Sequence, residues 1–140
     1  MNRCGSVNLV TAKAEVQLRP TPRVLLIEDN ALISMDLEEI LKNFGCHVLG
    51  PRVRVQDALD AIESEDIDVA VVDYMLEDGD AEPIARKLND KGIPFAFCTG
   101  TPQAHVGSLY PHTPILGKPF NPEDVSTVVN SLMASRLANA

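Results

Sequence analysis

Residues 69–76 read VAVVDYML, a run of four apolar residues that ends at Asp73. Such a short, continuous apolar run is typical of a strand that is buried on both faces of a parallel sheet. Three further runs have the same form, and a polar residue follows each of them closely: VLLI at 24–27, IPFAFC at 93–98 and PIL at 114–116. Because helical stretches separate these runs, the pattern predicts an α/β domain built on a parallel sheet.

The residues that follow the runs share one property, which is that all are polar: Glu28 with Asp29, Asp73, Thr99 and Lys118. The carboxyl ends of parallel strands meet at one edge, and open α/β sheets bind their ligands there. We therefore expect these side chains to converge in one crevice. Taken singly, each could be a helix cap, a turn residue or a solvated loop side chain, but those explanations do not predict the convergence.

The combined residue types point to phosphoryl transfer. Asp73 suits an electrostatic role or that of a nucleophile, since aspartate can carry a phosphoryl group as an acyl phosphate. Glu28 and Asp29 suit a hard divalent cation such as Mg2+, which would reduce the repulsion between the carboxylate and the phosphate. Lys118 would offer a positive charge to one phosphate oxygen, and Thr99 would donate its hydroxyl to another.

The segments between the runs complete five βα units, which predicts a doubly wound sheet with right-handed crossovers. His47–Leu49 is predicted as the second strand, with Gly50-Pro51 turning out of it. The stretch from Thr99 to Lys118 is rich in proline and glycine, which leaves room for about one or two helical turns. Asn121 is the predicted N-cap of the final helix.

Composition excludes several classes of function. A chain of 140 residues is long enough for one domain with a real core, and its net charge of −8 argues against a nucleic-acid surface. No apolar run approaches membrane-spanning length, and Cys4, Cys46 and Cys98 have neither paired nor metal-like spacing. We expect free thiols in a soluble cytoplasmic protein that binds neither nucleic acid nor membrane.

Residues 1–22 do not fit the alternating pattern and close with the breaker Pro20-Thr21-Pro22. Their composition favours a disordered extension. The apolar stretches Val7–Val10 and Val16–Leu18 leave open an added strand or an arm that docks a partner.

Four segments together carry a resemblance to a known family: VLLIEDN, VAVVDYML, FAFCTG and ILGKPF. They resemble the landmark segments of response-regulator receiver domains of two-component signalling, over Arg23 to about Leu137. The resemblance implies a receiver domain at 23–140 with a flavodoxin-like (βα)5 fold and strand order 2-1-3-4-5. Since only a short tail follows the last helix, we expect a stand-alone regulator without an output domain.

The resemblance also implies a role for each site residue. Asp73 is the implied phosphoacceptor, and Glu28, Asp29 and Asp73 with the backbone carbonyl of Met75 would bind Mg2+. Thr99 is the implied switch hydroxyl, and Lys118 the phosphate-binding lysine, typically with a cis bond to Pro119. The donor would be a phosphohistidine on a histidine kinase or a phosphotransfer protein. Such a protein is a signalling phosphoacceptor that catalyses its own phosphorylation and dephosphorylation, and is not a conventional enzyme.

Three positions depart from the common receiver pattern. Ile115 stands where receivers commonly carry a Tyr or Phe that reports phosphorylation, and Glu77 stands where a Pro is usual. The segment PFAFCTG resembles the FATGUY subgroup, which lacks that aromatic, although Cys98 replaces its usual Ala. Output would pass through a partner surface, a homodimer or onward phosphotransfer.

Two other classes of protein share parts of this pattern. A phosphatase of the aspartyl-phosphate type needs a second acid two residues after its nucleophile, and Met75 stands there. A receiver-like scaffold that binds partners without phosphorylation is the remaining alternative. The three histidines, His47, His105 and His112, are scattered along the chain, and the last two fall in the predicted irregular loop, so we expect solvated side chains.

Overall fold

The computed structural model describes residues 21–100 and 103–138. Seven strands and five helices alternate along these ranges: β1 Arg23–Ile27, α1 Ala31–Asn43, β2 His47–Arg52, α2 Val55–Ser64, β3 Val69–Val72, β4 Met75–Leu76, β5 Gly79–Asp80, α3 Glu82–Asp90, β6 Phe95–Thr99, α4 Gln103–Leu109, β7 Ile115–Gly117 and α5 Pro122–Ala138.

Five of the strands form one parallel sheet in the order β2-β1-β3-β6-β7. Counted among the sheet strands alone, this is the order 2-1-3-4-5, which confirms the predicted fold. The two remaining strands, β4 and β5, pair antiparallel in a small hairpin directly after β3. The two acidic residues Glu77 and Asp78 form the turn of this hairpin.

The three inner strands of this sheet, β1, β3 and β6, are buried on both faces, as their apolar runs predict. Alternate residues point to opposite sides of the sheet, so β1 contributes to two apolar clusters. Leu25 and Ile27 pack with residues of α2 and α3, whereas Val24 and Leu26 pack with residues of α1 and α5. The helices thus cover both faces and leave the carboxyl edge of the sheet for polar residues.

The predicted end of β2 at Leu49 is wrong, because the strand continues to Arg52. Gly50 adopts a φ of 110° and precedes a cis bond to Pro51. The register with β1 shifts between Leu25 and Ile27, and pairing resumes at Ile27 with Arg52. A glycine that accepts a positive φ lets the chain form this bulge and stay in the sheet.

The stretch from Thr99 to Lys118, which is rich in proline and glycine, contains α4. Its seven residues correspond to about two turns. This confirms the predicted helical turns, but placing His105 in an irregular loop is wrong because it lies within α4. The cap of α5 is confirmed: the side-chain oxygen of Asn121 accepts a hydrogen bond from Asp124 N at 2.9 Å.

The predictions for the three cysteines and for the N-terminal extension fall partly outside the described residues. Cys46 and Cys98 are free and buried, whereas Cys4 and the two apolar stretches of the extension lie outside the described residues. Among the described helices, none is both long enough and apolar enough to cross a membrane.

Candidate functional site

Four neighbouring strands deliver the predicted site residues to one edge of the sheet. Glu28 and Asp29 follow β1, Asp73 follows β3, Thr99 ends β6 and Lys118 follows β7. Oxygen atoms of Glu28, Asp29 and Asp73 lie within 4.8 Å of one another. The structure therefore brings the three carboxylates together, as strand topology led us to expect.

Asp73 is held by its backbone and by its neighbour Met75. Its amide donates a hydrogen bond to Ile27 O at 2.8 Å, which extends the pairing of β3 with β1 by one residue. Its Oδ1 accepts a hydrogen bond from Met75 N at 3.3 Å. Only 6% of the residue is exposed, so the carboxylate lies at the mouth of the strand largely shielded from water.

Glu28 is the most deeply buried acid of the site, with 1% exposure. Its Oε2 accepts a hydrogen bond from Asn30 N at 3.1 Å. Its Oε1 lies 2.9 Å from Lys118 Nζ, although none of the described residues makes a hydrogen bond of good geometry to this atom. A buried carboxylate oxygen with an ion-pair partner but no such hydrogen bond remains available to a cation.

Lys118 places its ammonium between two carboxylates. Nζ lies 2.9 Å from Glu28 Oε1 and 3.3 Å from Asp73 Oδ2. Burial lowers the pKa of Lys118, but the contact with Glu28 and the charges of Asp73 and Glu28 outweigh burial and raise it. The lysine therefore stays charged, and its backbone amide donates to Thr99 O at 3.1 Å. The bond from Lys118 to Pro119 is cis, as expected.

The carboxyl group of Asp73 is difficult to ionise without a cation. Burial raises the pKa of Asp73 to about 7, assisted by the negative charge of Glu28 and a hydrogen bond with it. Lys118 and the amide of Met75 oppose this rise only in part. Three carboxylates face one ammonium, so the site carries an excess of negative charge that a divalent cation would offset.

The donor set fits Mg2+. All the side-chain donors are carboxylate oxygens, which is the chemistry that a hard divalent cation prefers. Glu28 and Asp73 are buried and Asp29 is half-buried, so the cluster opens to solvent on one side. This leaves room for the water and phosphate oxygens that Mg2+ commonly retains.

Thr99 and Met75 complete the predicted set. Thr99 is 1% exposed at the end of β6, between the strands that carry Asp73 and Lys118. Met75 is the first residue of the hairpin and is 49% exposed, so its side chain lies at the rim while its backbone contacts Asp73.

The β4–β5 hairpin that forms part of this rim was not predicted. The dipeptide Asp78-Gly79 is the nearest sequence signal for a hairpin, although it is offset by one residue from the turn at Glu77-Asp78. The carboxylate of Asp78 accepts hydrogen bonds from Val55 N at 3.2 and 3.3 Å and so ties the hairpin to the start of α2. His47, His105 and His112 are all exposed, which confirms the expectation of solvated histidines.

A cluster of aromatic rings beside the site was also missed. The rings of Tyr74, Phe97 and Tyr110 contact one another edge to face, and His105 of α4 contacts Tyr74 in the same way; we call these four residues the aromatic cluster. Its members are distant in sequence and follow no local period, so no sequence signal predicts that they meet.

Comparison with known proteins gives relatives over most of the chain, although no protein-family model matches it. The phyllosphere-induced regulator PhyR of Methylorubrum extorquens is 32% identical over 114 residues, which are 79% of this chain and 43% of the relative. The crystal structure of the response regulator PhyR from Brucella abortus matches with a TM-score of 0.76 at 28% identity, over 89% of this chain and 53% of that chain.

A third relative matches over nearly its whole length. SdrG from Pseudomonas melonis Fr1, in its BeF3-activated conformation, matches with a TM-score of 0.69 at 34% identity, over 79% of this chain and 95% of that chain. The chain therefore spans about half or less of the PhyR proteins, at 43% and 53%, and nearly all of the SdrG structure.

Proposed function

Because the chain belongs to the response-regulator receiver family, we propose that it accepts a phosphoryl group on Asp73 from a phosphohistidine donor. The PhyR relatives are named as a regulator and as a response regulator. The donor is a histidine kinase or a phosphotransfer protein, and Mg2+ is required. The single observation that carries the proposal is the convergence of three carboxylates within 4.8 Å, with Lys118 Nζ 3.3 Å from Asp73.

The transfer exchanges one bond for another. A carboxylate oxygen of Asp73 attacks phosphorus while the bond from phosphorus to the donor's imidazole nitrogen breaks. The imidazole leaves with a proton from solvent, and Asp73 holds the phosphoryl group as an acyl phosphate. Water later hydrolyses this acyl phosphate, and the receiver's own site catalyses both reactions.

The remaining residues bind and orient the phosphoryl group. Glu28, Asp29 and the carbonyl of Met75 would hold Mg2+ with Asp73, and the cation would neutralise charge on the transferring group. Lys118 is close enough to Asp73 to exchange its contact with Oδ2 for one with a phosphate oxygen. Thr99 donates its hydroxyl to a third oxygen, and its inward shift moves the segment that contains α4.

Output follows through a protein partner, through dimerisation or by onward phosphotransfer. BeF3 is a phosphoryl mimic, and the activated conformation of SdrG was obtained with it. This supports the use of the same mimic on the present chain. The alternative, a scaffold that binds partners without phosphorylation, predicts that neither acetyl phosphate nor BeF3 modifies or binds the site.

Intact-mass analysis after incubation with acetyl phosphate tests the proposal. We expect one phosphoryl adduct on the wild type with Mg2+, none without Mg2+ and none on Asp73→Asn. Asp90→Asn is the matched control, because Asp90 is exposed at the end of α3, opposite the site. It should be modified like the wild type.

Lys118 gives a second arm of the same experiment. Lys118→Met should slow adduct formation about 100-fold, since loss of one preorganised donor typically costs that much. Lys42→Met is the control, because Lys42 forms an exposed ion pair with Glu38 on α1. If neither the wild type nor any variant forms an adduct, titration with BeF3 and Mg2+ distinguishes the two functions. Failure of the wild type to bind BeF3 would favour the scaffold that is not phosphorylated.

A further inference from the structure

The aromatic cluster connects Tyr74, the residue that follows the proposed phosphoacceptor, with α4 and with Tyr110 at its end. Tyr74 is its centre: its ring centroid lies 5.4 Å from Phe97, 6.2 Å from Tyr110 and 6.4 Å from His105, all in edge-to-face arrangements. Phe97 and Tyr110 are also in contact, with centroids 4.8 Å apart. Each ring of this kind constrains the position of its neighbours, because edge-to-face geometry is directional.

The backbone of Tyr74 is joined to the site on both sides. Asp73 precedes it, and Met75, whose amide donates to Asp73 Oδ1 at 3.3 Å, follows it. The carbonyl of Tyr74 accepts a hydrogen bond from Ala81 N at 2.8 Å. Because the side chain of Tyr74 is buried, any shift of the peptides around Asp73 on phosphorylation moves this ring against its neighbours.

The second strand of the site reaches the same cluster. Phe97 is wholly buried in β6 and lies two residues before Thr99. Since side chains alternate along a strand, Phe97 and Thr99 lie on the same face. A shift of Thr99 towards a phosphoryl group therefore acts on β6. Phe97, the neighbouring side chain on the same face of β6, contacts Tyr110.

Helix α4 depends on few contacts for its position. It has seven residues, which is too short for a helix to be stable by itself. Within its described side chains, those of residues 105–109, Val106 alone is buried. Tyr110 directly follows the helix, donates its amide hydrogen to Val106 O at 2.9 Å, and inserts its ring beside Tyr74 and Phe97.

The position at which receivers commonly carry a reporting aromatic is aliphatic in this chain. Ile115 is half-buried in β7 and packs against the apolar cluster that includes Phe97. It has no ring that could rotate between buried and exposed positions. Tyr110, by contrast, is a half-buried aromatic in direct contact with the residue that follows Asp73.

We propose that Tyr110 is the residue through which the phosphorylation state of Asp73 positions α4, by way of Tyr74 and Phe97. This inference rests on the proposed phosphorylation of Asp73. A phosphoryl group shifts Tyr74 and Thr99, the ring of Tyr110 then repacks, and α4 moves with it. The exposed Leu109, at the end of α4, is thereby presented differently to a partner.

Fluorine NMR tests this inference directly. The chain has two tyrosines, Tyr74 and Tyr110, and no tryptophan, so incorporation of 3-fluorotyrosine gives one signal from each side of the proposed contact. Tyr110→Phe assigns the two signals. On titration with Mg2+ and BeF3, we expect a bound-fluoride signal to appear and both tyrosine signals to shift with the same midpoint.

Two variants separate coupling from packing. Tyr110→Phe keeps the ring, so the amide signals of Ser108 and Leu109 should respond to BeF3 as in the wild type. Tyr110→Leu removes the ring, so the bound-fluoride signal should remain while the response of these two amides falls at least about fivefold, the lower end of typical allosteric coupling.

The outcomes distinguish this inference from the proposed function. Absence of the bound-fluoride signal would overturn the proposed function and this inference with it. Bound fluoride with unmoved tyrosine signals would overturn this inference alone. A folded Tyr110→Leu variant in which the amides of Ser108 and Leu109 respond to BeF3 as in the wild type would also overturn this inference alone.

Discussion

The chemistry of this protein depends on a carboxyl group that is difficult to ionise. Burial, the charge of Glu28 and a hydrogen bond with it raise the pKa of Asp73 to about 7 without a metal ion. In an unfolded chain the same group titrates near its ordinary value of about 4. The native state therefore binds more protons than the unfolded state between about pH 4 and pH 7, so this group makes stability fall as pH rises through that range.

Asp73→Asn should remove this dependence. In EDTA at pH 8, we expect the variant to melt at least about 3 °C above the wild type, because it has no charge to bury. At pH 5, where the native carboxyl group is largely protonated, the difference should shrink. Thermal unfolding followed by circular dichroism measures both. Equal melting temperatures at both pH values would contradict the assigned environment of Asp73, and Asp90→Asn should behave as the wild type throughout.

Individual site residues could be predicted because strand ends have a clear signature. Glu28 and Asp73 each follow four apolar residues, and burial on both faces requires such runs. The partner of Lys118 could not be predicted in the same way. Its contact with Glu28 depends on the reach of a long side chain from the end of β7 past β6 and β3, which the strand pattern does not determine.

At the scale of elements, the edge strand β2 shows how a local signal can mislead. Gly50-Pro51 suggests a turn, yet the strand continues because Gly50 adopts a φ of 110° and the chain rejoins β1 at Arg52. A side chain at Gly50 would place Cβ 2.6 Å from Leu26 O. Sequence alone cannot distinguish a turn from a bulge here, because the difference lies in pairing with a distant strand.

Gly50→Ala should therefore destabilise the protein by at least about 2 kcal/mol, since backbone strain adds to a contact with the backbone that cannot yield. Gly45→Ala is the matched control. Gly45 has a φ of 85° but nothing within 4 Å of its added Cβ, so we expect a cost of about 1 kcal/mol. Urea unfolding gives both values, and equal costs would contradict the described path of β2.

The whole molecule combines a net charge of −8 with a cluster of three acids at one edge of its sheet. Parallel topology explains why this cluster was predictable, since it brings the carboxyl ends of adjacent strands together whatever the loops do. The aromatic cluster was not predictable, because the contact of Tyr110 with Phe97 depends on tertiary packing between residues that are distant in sequence.

A cation at this cluster should stabilise the whole fold. At pH 8, Mg2+ at 100 times its dissociation constant should add about 2.7 kcal/mol, because only the native state assembles the site. Asp29→Asn should lose most of this gain, and since Asp29 is half-buried the variant should still fold. Melting temperatures across a Mg2+ titration provide the measurement. A gain that persists in Asp29→Asn would place the cation elsewhere.

The central claim is that Asp73 carries the phosphoryl group. Borohydride reduces an aspartyl phosphate to homoserine, so reduction after treatment with acetyl phosphate and Mg2+, followed by peptide mass spectrometry, identifies the modified residue. We predict homoserine at position 73 alone, with none when Mg2+ or the donor is omitted. Homoserine at any other acidic position, or a phosphoryl adduct that leaves position 73 unreduced, would contradict the account.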